Sequence, residues 1–170
     1  MLKPRLDPYI EAGYTELILS LDNVPYDLAD HEAMGTYGQI APPRDYEEWG
    51  EFIKELCKQL VEIYGFDMVN SWSFRMGTEN NGSTRGSDHT FDGNHSQYLK
   101  WYQHTAKAVK SVLPDAAFAP GEFAGSNINP APPAVNYVKL AEYCLTNDLP
   151  FDYLANSSHA IPRWVGNKLR

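Results

Sequence analysis

Long apolar runs, cysteines and clusters of basic residues are all scarce in this 170-residue sequence. No run of about 18 apolar residues occurs, so we expect no membrane-spanning helix, and the opening residues MLKPRLDPYIEAG lack the apolar core of a secretory signal. Fourteen Lys and Arg against 22 Asp and Glu give a net charge of −8, which makes nucleic acid an unexpected partner. Nothing in the sequence indicates a cellular location.

The two cysteines do not suggest a disulfide framework. Cys57 and Cys144 each lie among apolar residues of a predicted helix, where a small buried thiol is a common occupant. We therefore expect both thiols to be free.

Several signatures of catalytic or cofactor sites are also missing. The segments GTENNG and GSTRGSD lack the Lys and Ser/Thr placement of a phosphate-binding loop, and no Ser lies in a G-x-S-x-G turn. Asp88, His89, Asp92 and His95 have the composition of a metal site, but their spacing fits neither an EF-hand nor a zinc motif. We expect neither a metal nor a cofactor, and a metal-dependent hydrolase ranks last among the hypotheses.

The sequence does contain a regular alternation of strand and helix patterns. Strands are predicted over residues 15–21, 69–76, 116–120 and 151–156, and helices over residues 45–65, 96–113 and 133–146. The first of these helices opens with Asp45 and Glu48, the spacing of a capping box, and ends at Gly65. Alternation of this kind predicts an α/β fold with parallel strands joined by right-handed crossovers.

The loops that follow the predicted strands are long and polar, whereas the turns that lead from helix to strand are short. This asymmetry is typical of a (β/α)8 barrel, in which the loops after the strands carry the active site. A complete barrel typically needs about 250 residues. We therefore expect residues 1–170 to form one partial barrel domain of about four βα units.

The most informative segment is VNSWSFRMGTENNG, residues 69–82. A short apolar run stops there at Glu79 and opens into a polar, glycine-rich loop. Hydrolysis of a glycosidic bond needs one carboxyl that is protonated near neutral pH, and partial burial beside apolar groups favours this. Glu79 is therefore a candidate catalytic acid, and a residue that merely braces the loop is an equally weighted alternative.

Other polar side chains lie at the ends of neighbouring predicted strands. Glu122 can contact a substrate or be an ordinary surface carboxylate, and His159 can bind a sugar hydroxyl or be structural. Aromatic residues make up 13% of the chain, and their rings serve either as stacking platforms for sugars or as core.

Four stretches together resemble glycoside hydrolase family 39, the xylosidase and iduronidase family of the retaining clan A enzymes. They are LDPYIEAGYTELILSLDNVPYDLA, PPRDYEEWGEFIKELCKQLVEIYGFDMVNSWSF, YLKWYQHTAKAVKSVLPDAAFAPG and AEYCLTNDLPFDYLANSSHAIP. The resemblance implies a TIM barrel of which strands three to six are present. The Gly-Thr-Glu signature is also similar to that of the agarase and porphyranase relatives in family 86.

In family 39 the fourth barrel strand ends in Trp-Asn-Glu-Pro, and its Glu is the general acid/base. Carried over by position, this residue is Glu79, with Thr78 in place of Asn and Asn80 in place of Pro. The resemblance also implies that the nucleophile lies on the seventh strand, beyond this chain. The expected substrate contacts are Trp72, Thr78, Asn80, Tyr26, Glu122 and His159.

Two hypotheses follow. In the first, the chain belongs to a retaining glycoside hydrolase that acts on a poly- or oligosaccharide through Glu79. In the second, it is an inactive half-barrel that binds carbohydrate or associates with itself through exposed sheet edges.

Overall fold

A computed structural model describes residues 2–35, 38–80, 91–124, 135–157, 164–165 and 168–169. The helices are α1 (Lys3–Glu11), α2 (Tyr46–Tyr64), α3 (Phe66–Asn70), α4 (His95–Val112) and α5 (Tyr137–Asn147). The strands are β1 (Ile18–Ser20), β2 (Met34–Gly35), β3 (Gly38–Gln39), β4 (Ser73–Thr78), β5 (Ala117–Ala124), β6 (Asn156–Ser157), β7 (Trp164–Val165) and β8 (Lys168–Leu169).

The main sheet has four parallel strands in the order β1-β4-β5-β6. Each strand pairs with the next main-sheet strand along the chain, with α2, α4 and α5 in the connections. Since right-handed crossovers that always step in one direction place their helices on one face, α2, α4 and α5 cover the same side of the sheet. The strand pairs β2-β3 and β7-β8 are short, antiparallel and separate from this sheet.

Helix α2 begins and ends where the sequence predicts. The Asp45 carboxylate accepts hydrogen bonds from the backbone N–H groups of Glu47 and Glu48, which satisfies two free donors of the first turn. The Glu48 carboxylate pairs with Arg44 at 3.2 Å, so the second half of the predicted capping box is replaced by an ion pair. Gly65, with φ +86°, ends the helix.

The core lies between the sheet and the helices. Trp49 of α2 and Thr105 of α4 are both buried, and the indole N–H donates to the threonine hydroxyl at 2.8 Å. Tyr102 of α4 packs its ring edge on Phe118 of β5, with centroids 5.2 Å apart. Cys57 and Cys144 are free and buried, as predicted, and burial raises the pKa of the Cys57 thiol to about 12.

Three predicted strands begin at least three residues too early. The first, predicted from Thr15, starts at Ile18. Residues 66–70 form the short helix α3, so β4 starts at Ser73 rather than at Val69. Val69 is apolar and β-branched, but it is fully buried as part of a helical turn that follows Gly65 directly. The last predicted strand, residues 151–156, is strand only at its end, in β6. An apolar run alone does not distinguish a strand from a buried helical turn.

Candidate active site

The carboxyl end of β4 carries an unusual backbone. Gly77 has φ +86° and Glu79 has φ +54°, so a residue with a side chain occupies the left-handed region that favours glycine. The Glu79 N–H donates to the carbonyl oxygen of Glu122 in β5 at 2.7 Å, and the Glu79 side chain is half-buried. Strained residues of this kind cluster at functional sites because the surrounding structure must hold them in place.

The two strands converge closely at this point. A Cβ atom added to Gly121 would overlap the carbonyl oxygen of Gly77, and one added to Gly77 would overlap the side-chain nitrogen of Asn80. Both positions therefore require glycine. Thr78 lies opposite Glu122 in the register of β4 and β5 and is half-buried.

Asn80 folds back beneath the turn. Its side chain is only 5% exposed, and its amide group donates to the carbonyl oxygen of Met76 at 3.3 Å. The same carbonyl accepts a hydrogen bond from the Tyr98 hydroxyl at 3.1 Å. Among the described residues, the Asn80 side-chain oxygen has no hydrogen-bond partner.

An ion pair also joins the same two strands. The Arg75 guanidinium contacts the Glu122 carboxylate at 2.6 Å, and each side chain is about a quarter exposed. Arg75 lies opposite Ala119 in the register, three residues before Glu122 on β5. Three residues of strand span about 10 Å, so the two side chains extend along the sheet to meet. The Glu122 carboxylate is thus paired with a cation of the neighbouring strand.

The other expected contacts are spread over both ends of the sheet. Tyr26 lies in a short 3-10 helix after β1 and is 56% exposed, and its hydroxyl contacts the Met34 sulfur at 2.7 Å. Trp72 precedes β4, is fully buried, and donates its indole N–H to the carbonyl oxygen of Thr15. The structure therefore places Trp72 in the core at the amino end, away from Glu79. His159 lies outside the described residues.

Sequence reasoning missed three residues around Glu79. Arg75 is signalled by a charge inside an otherwise apolar strand run, whereas no sequence signal distinguishes Tyr98 and Tyr137 from the other aromatic residues of the chain. The Tyr137 hydroxyl donates to the carbonyl oxygen of Glu122 at 3.4 Å. Burial raises the pKa of both tyrosines, so both hydroxyls stay protonated as donors.

The acidic and histidine residues considered for a metal site do not converge where the structure describes them. Asp92 contacts His31 at 3.0 Å, while the His95 ring accepts a hydrogen bond from the Asn136 N–H at 3.3 Å. Asp88 and His89 lie outside the described residues. Within the described part of the chain, no group of three His, Cys, Asp or Glu residues could hold a metal ion, and no helix is long and apolar enough to cross a membrane.

Known proteins are similar to this chain in sequence. A β-xylosidase of Caldicellulosiruptor saccharolyticus is 32% identical over 126 residues, which cover 74% of this chain and 23% of that protein. An α-1,4-L-rhamnosidase of Formosa agariphila is 26% identical over 166 residues, which cover 92% of this chain and 32% of that protein. The chain thus spans roughly a quarter to a third of the length of these relatives.

Solved structures share the fold. A GH39 enzyme from Xanthomonas axonopodis pv. citri superposes with a TM-score of 0.66 at 21% identity, over 82% of this chain and 25% of that one. A monomeric β-xylosidase from Caulobacter crescentus CB15 gives a TM-score of 0.67 at 18% identity, over 82% and 26%. The fold is therefore of the TIM-barrel glycosidase type.

The family model described as glycosyl hydrolases family 39 matches residues 4–165. Because this match covers nearly the whole sequence, the chain belongs to glycosyl hydrolases family 39.

Proposed function

We propose that this chain supplies the general acid/base of a retaining glycoside hydrolase, and that Glu79 is that residue. The observation that carries the proposal is the backbone of Glu79. It lies at the carboxyl end of a central parallel strand, has φ +54°, and bonds its N–H to β5. This is the end of the strand at which barrel enzymes carry their catalytic groups.

In the proposed reaction, the protonated Glu79 carboxyl donates its proton to the glycosidic oxygen while a second carboxylate attacks the anomeric carbon. The Glu79 carboxylate then takes a proton from water, which hydrolyses the covalent intermediate. Glu122 is a poor candidate for the attacking group because its carboxylate is paired with Arg75. We propose that the nucleophile is not among the residues of this chain, which would correspond to barrel strands three to six.

The proposed substrate is a poly- or oligosaccharide. Thr78 ends β4 and Tyr26 lies after β1. These two residues, together with His159, are the proposed sugar contacts. Glu122 is proposed to contribute through its pair with Arg75. The relatives are named for different sugars, a β-xyloside and an α-L-rhamnoside, so both belong in the assay.

The test is turnover of aryl β-xylosides and aryl α-L-rhamnosides by the chain and by its Glu79→Gln variant, with formate added as the carboxylate that attacks the anomeric carbon in place of the missing nucleophile. Loss of a positioned general acid lowers turnover by about 10²- to 10⁴-fold. Asp115→Asn is the matched control, because Asp115 accepts a hydrogen bond from Asn70 at the amino end of the sheet. Turnover that Glu79→Gln leaves unchanged would contradict the proposal.

A second candidate function is an inactive module that binds carbohydrate or associates with itself. It is favoured by β1, an edge strand of the four-stranded sheet, on which Ile18 is 65% exposed. An exposed apolar strand edge invites pairing with another chain. Two results together would support this candidate over the enzyme. The chain would bind sugar without turnover, and Glu79→Gln would bind it equally well. Light scattering would show an oligomer that Ile18→Lys dissociates.

A further inference from the structure

Two backbone carbonyl groups beside Glu79 each accept two hydrogen bonds. The carbonyl oxygen of Met76 accepts from the Asn80 amide at 3.3 Å and from the Tyr98 hydroxyl at 3.1 Å. These three residues come from the end of β4, the following turn and helix α4. The turn that carries Glu79 is thus tied at its base to a helix behind the sheet.

The second carbonyl group belongs to Glu122 of β5. Its oxygen accepts the Glu79 N–H at 2.7 Å and the Tyr137 hydroxyl of α5 at 3.4 Å. The Tyr98 and Tyr137 side chains are 0% and 2% exposed. A buried hydroxyl that loses its partner is costly, so each tyrosine keeps its carbonyl acceptor in one place.

These contacts act on a backbone that needs support. A left-handed conformation is unfavourable for a residue with a side chain, and it persists only where surrounding contacts determine it. Asn80 fills the space next to Gly77, where only glycine leaves room for it. Asn80 is therefore too deeply buried to contact a sugar, contrary to its expected role as a substrate contact.

We infer that Asn80, Tyr98 and Tyr137 are positioning residues that hold Glu79 in its left-handed conformation for proton transfer. We call these three residues the buried brace. The inference rests on the proposed function, because the brace assists proton transfer only if Glu79 is the general acid/base. It assigns Asn80 a role through Glu79 rather than a contact with substrate.

The first test needs no catalytic activity. In Asn80→Ala, hydrogen exchange of the Glu79 amide, followed by NMR, should speed up roughly tenfold, the change expected from loss of about one buried hydrogen bond. Tyr98→Phe should act in the same direction and serves as the second variant if Asn80→Ala does not fold. Exchange at Glu79 that neither folded variant accelerates would overturn the inference.

Asn70→Ala is the matched control. Asn70 is also buried, at 8% exposure, and its amide group bonds to Asp115 at the opposite end of β4. It should lower overall stability without selectively accelerating exchange at Glu79. Equal acceleration in Asn70→Ala and Asn80→Ala would mean that the brace acts only on global stability, and would overturn the inference.

The second test uses leaving groups. Aryl glycosides with strongly basic leaving groups need the proton from Glu79, whereas dinitrophenyl glycosides largely do not. Asn80→Ala should therefore lower kcat/KM for the phenyl glycoside roughly tenfold more than for the dinitrophenyl glycoside, and Asn70→Ala should not change the ratio. An unchanged ratio in Asn80→Ala would overturn the catalytic part of the inference.

The two proposals fail differently. If Glu79→Gln leaves turnover unchanged, or the chain turns over no glycoside even with formate present, the proposed function fails. The exchange measurement then still decides whether the brace holds the Glu79 backbone.

Discussion

The two ends of strand β4 are built differently. At the amino end, Trp72 is fully buried and donates its indole N–H to the carbonyl oxygen of Thr15 at 3.0 Å. The Asn70 amide and Asp115 exchange two hydrogen bonds, at 2.8 and 3.1 Å. These polar groups are paired, and the packing is that of an ordinary protein core.

At the carboxyl end, the backbone is strained at Glu79, and one buried polar atom of Asn80 lacks a partner among the described residues. An ion pair between Arg75 and Glu122 faces the same region. Departures from local preference of this kind are expected where function is placed, while the other end of a barrel strand serves stability. The difference between the two ends therefore indicates a functional site at the carboxyl end, independently of any related protein.

The largest expected effect is at the amino end. Trp72→Ala should lower the free energy of unfolding by about 3 to 5 kcal/mol, because it leaves a large cavity and removes a buried hydrogen bond. Urea unfolding followed by circular dichroism measures it.

Trp72→Phe serves as the graded control, since it keeps most of the ring volume. It should cost less than Trp72→Ala and leave sugar binding unchanged. If Trp72→Phe instead weakens sugar binding while stability is preserved, then the sequence-based assignment of Trp72 to the substrate is right and the contrast between the ends fails.

The next largest effect concerns the Arg75–Glu122 pair. Glu122→Gln should lower the free energy of unfolding by about 1.5 to 3 kcal/mol, the range for hydrogen bonds to charged groups, because Arg75 loses its counter-charge while three-quarters buried. Thermal or urea unfolding measures the loss.

The control is a double-mutant cycle with Arg75→Met. Because the two side chains interact directly, removing both should cost less than the sum of the single changes. Strict additivity would show that the pair contributes no coupling, and Glu122 would then be free to act as an independent carboxylate beside Glu79.

The sequence predicted the parts of this fold that depend on local pattern. Helix α2 has an acidic N-cap at Asp45, a regular apolar stripe and a terminal glycine, and its observed bounds agree with the prediction. The alternation of elements was enough to predict parallel strands in sequential order. The boundary between an apolar run and a polar loop predicted that Glu79 directly follows a strand, as it does after β4.

Roles that depend on tertiary contacts could not be predicted. Trp72 and Tyr98 are aromatic residues in apolar runs, and only the fold shows that one supports the amino end and the other reaches the turn at Glu79. The direction of the Asn80 side chain depends on the positive φ of Gly77 and Glu79, which a sequence pattern does not reveal. Val69 was misplaced because helical and strand burial look alike over a few residues.

A smaller effect should follow from relieving strain at the carboxyl end. Glu79→Gly should raise the free energy of unfolding by about 0.5 to 1 kcal/mol. Glycine adopts positive φ without the cost that a side chain incurs, and its greater conformational entropy in the unfolded state offsets part of this gain. The same variant should lose turnover. Differential scanning calorimetry and the glycoside assay measure the two effects.

Asp148→Gly is the matched control, because Asp148 is the other non-glycine residue with positive φ in the described part of the chain, at +51°, and it ends α5. It should raise stability to a similar extent while turnover is unchanged. A loss of stability in Glu79→Gly would show that the glutamate side chain stabilises the fold by more than its left-handed backbone costs. Glu79 would then be a structural residue of the loop.

The smallest expected effect is pH-dependent and again concerns the carboxyl end. His31, in the loop after β1, contacts Asp92, which precedes α4, at 3.0 Å and Asp30 at 3.5 Å. The hydrogen bond to Asp92 is the main cause that raises the pKa of His31 above its usual 6.5, and burial opposes it. The contact ties together the segments that follow two neighbouring strands.

A raised pKa means that the folded state holds the proton more tightly than the unfolded state. The stabilisation is therefore fully present below about pH 6.5 and is lost as the pH rises through the folded pKa of His31. Both side chains are about half exposed, so we expect at most about 0.5 kcal/mol between pH 6 and 8. Urea unfolding across this range should show that His31→Asn and Asp92→Asn each flatten the dependence, and that combining them adds little. Independent, additive effects of the two variants would show that this contact does not couple the loops.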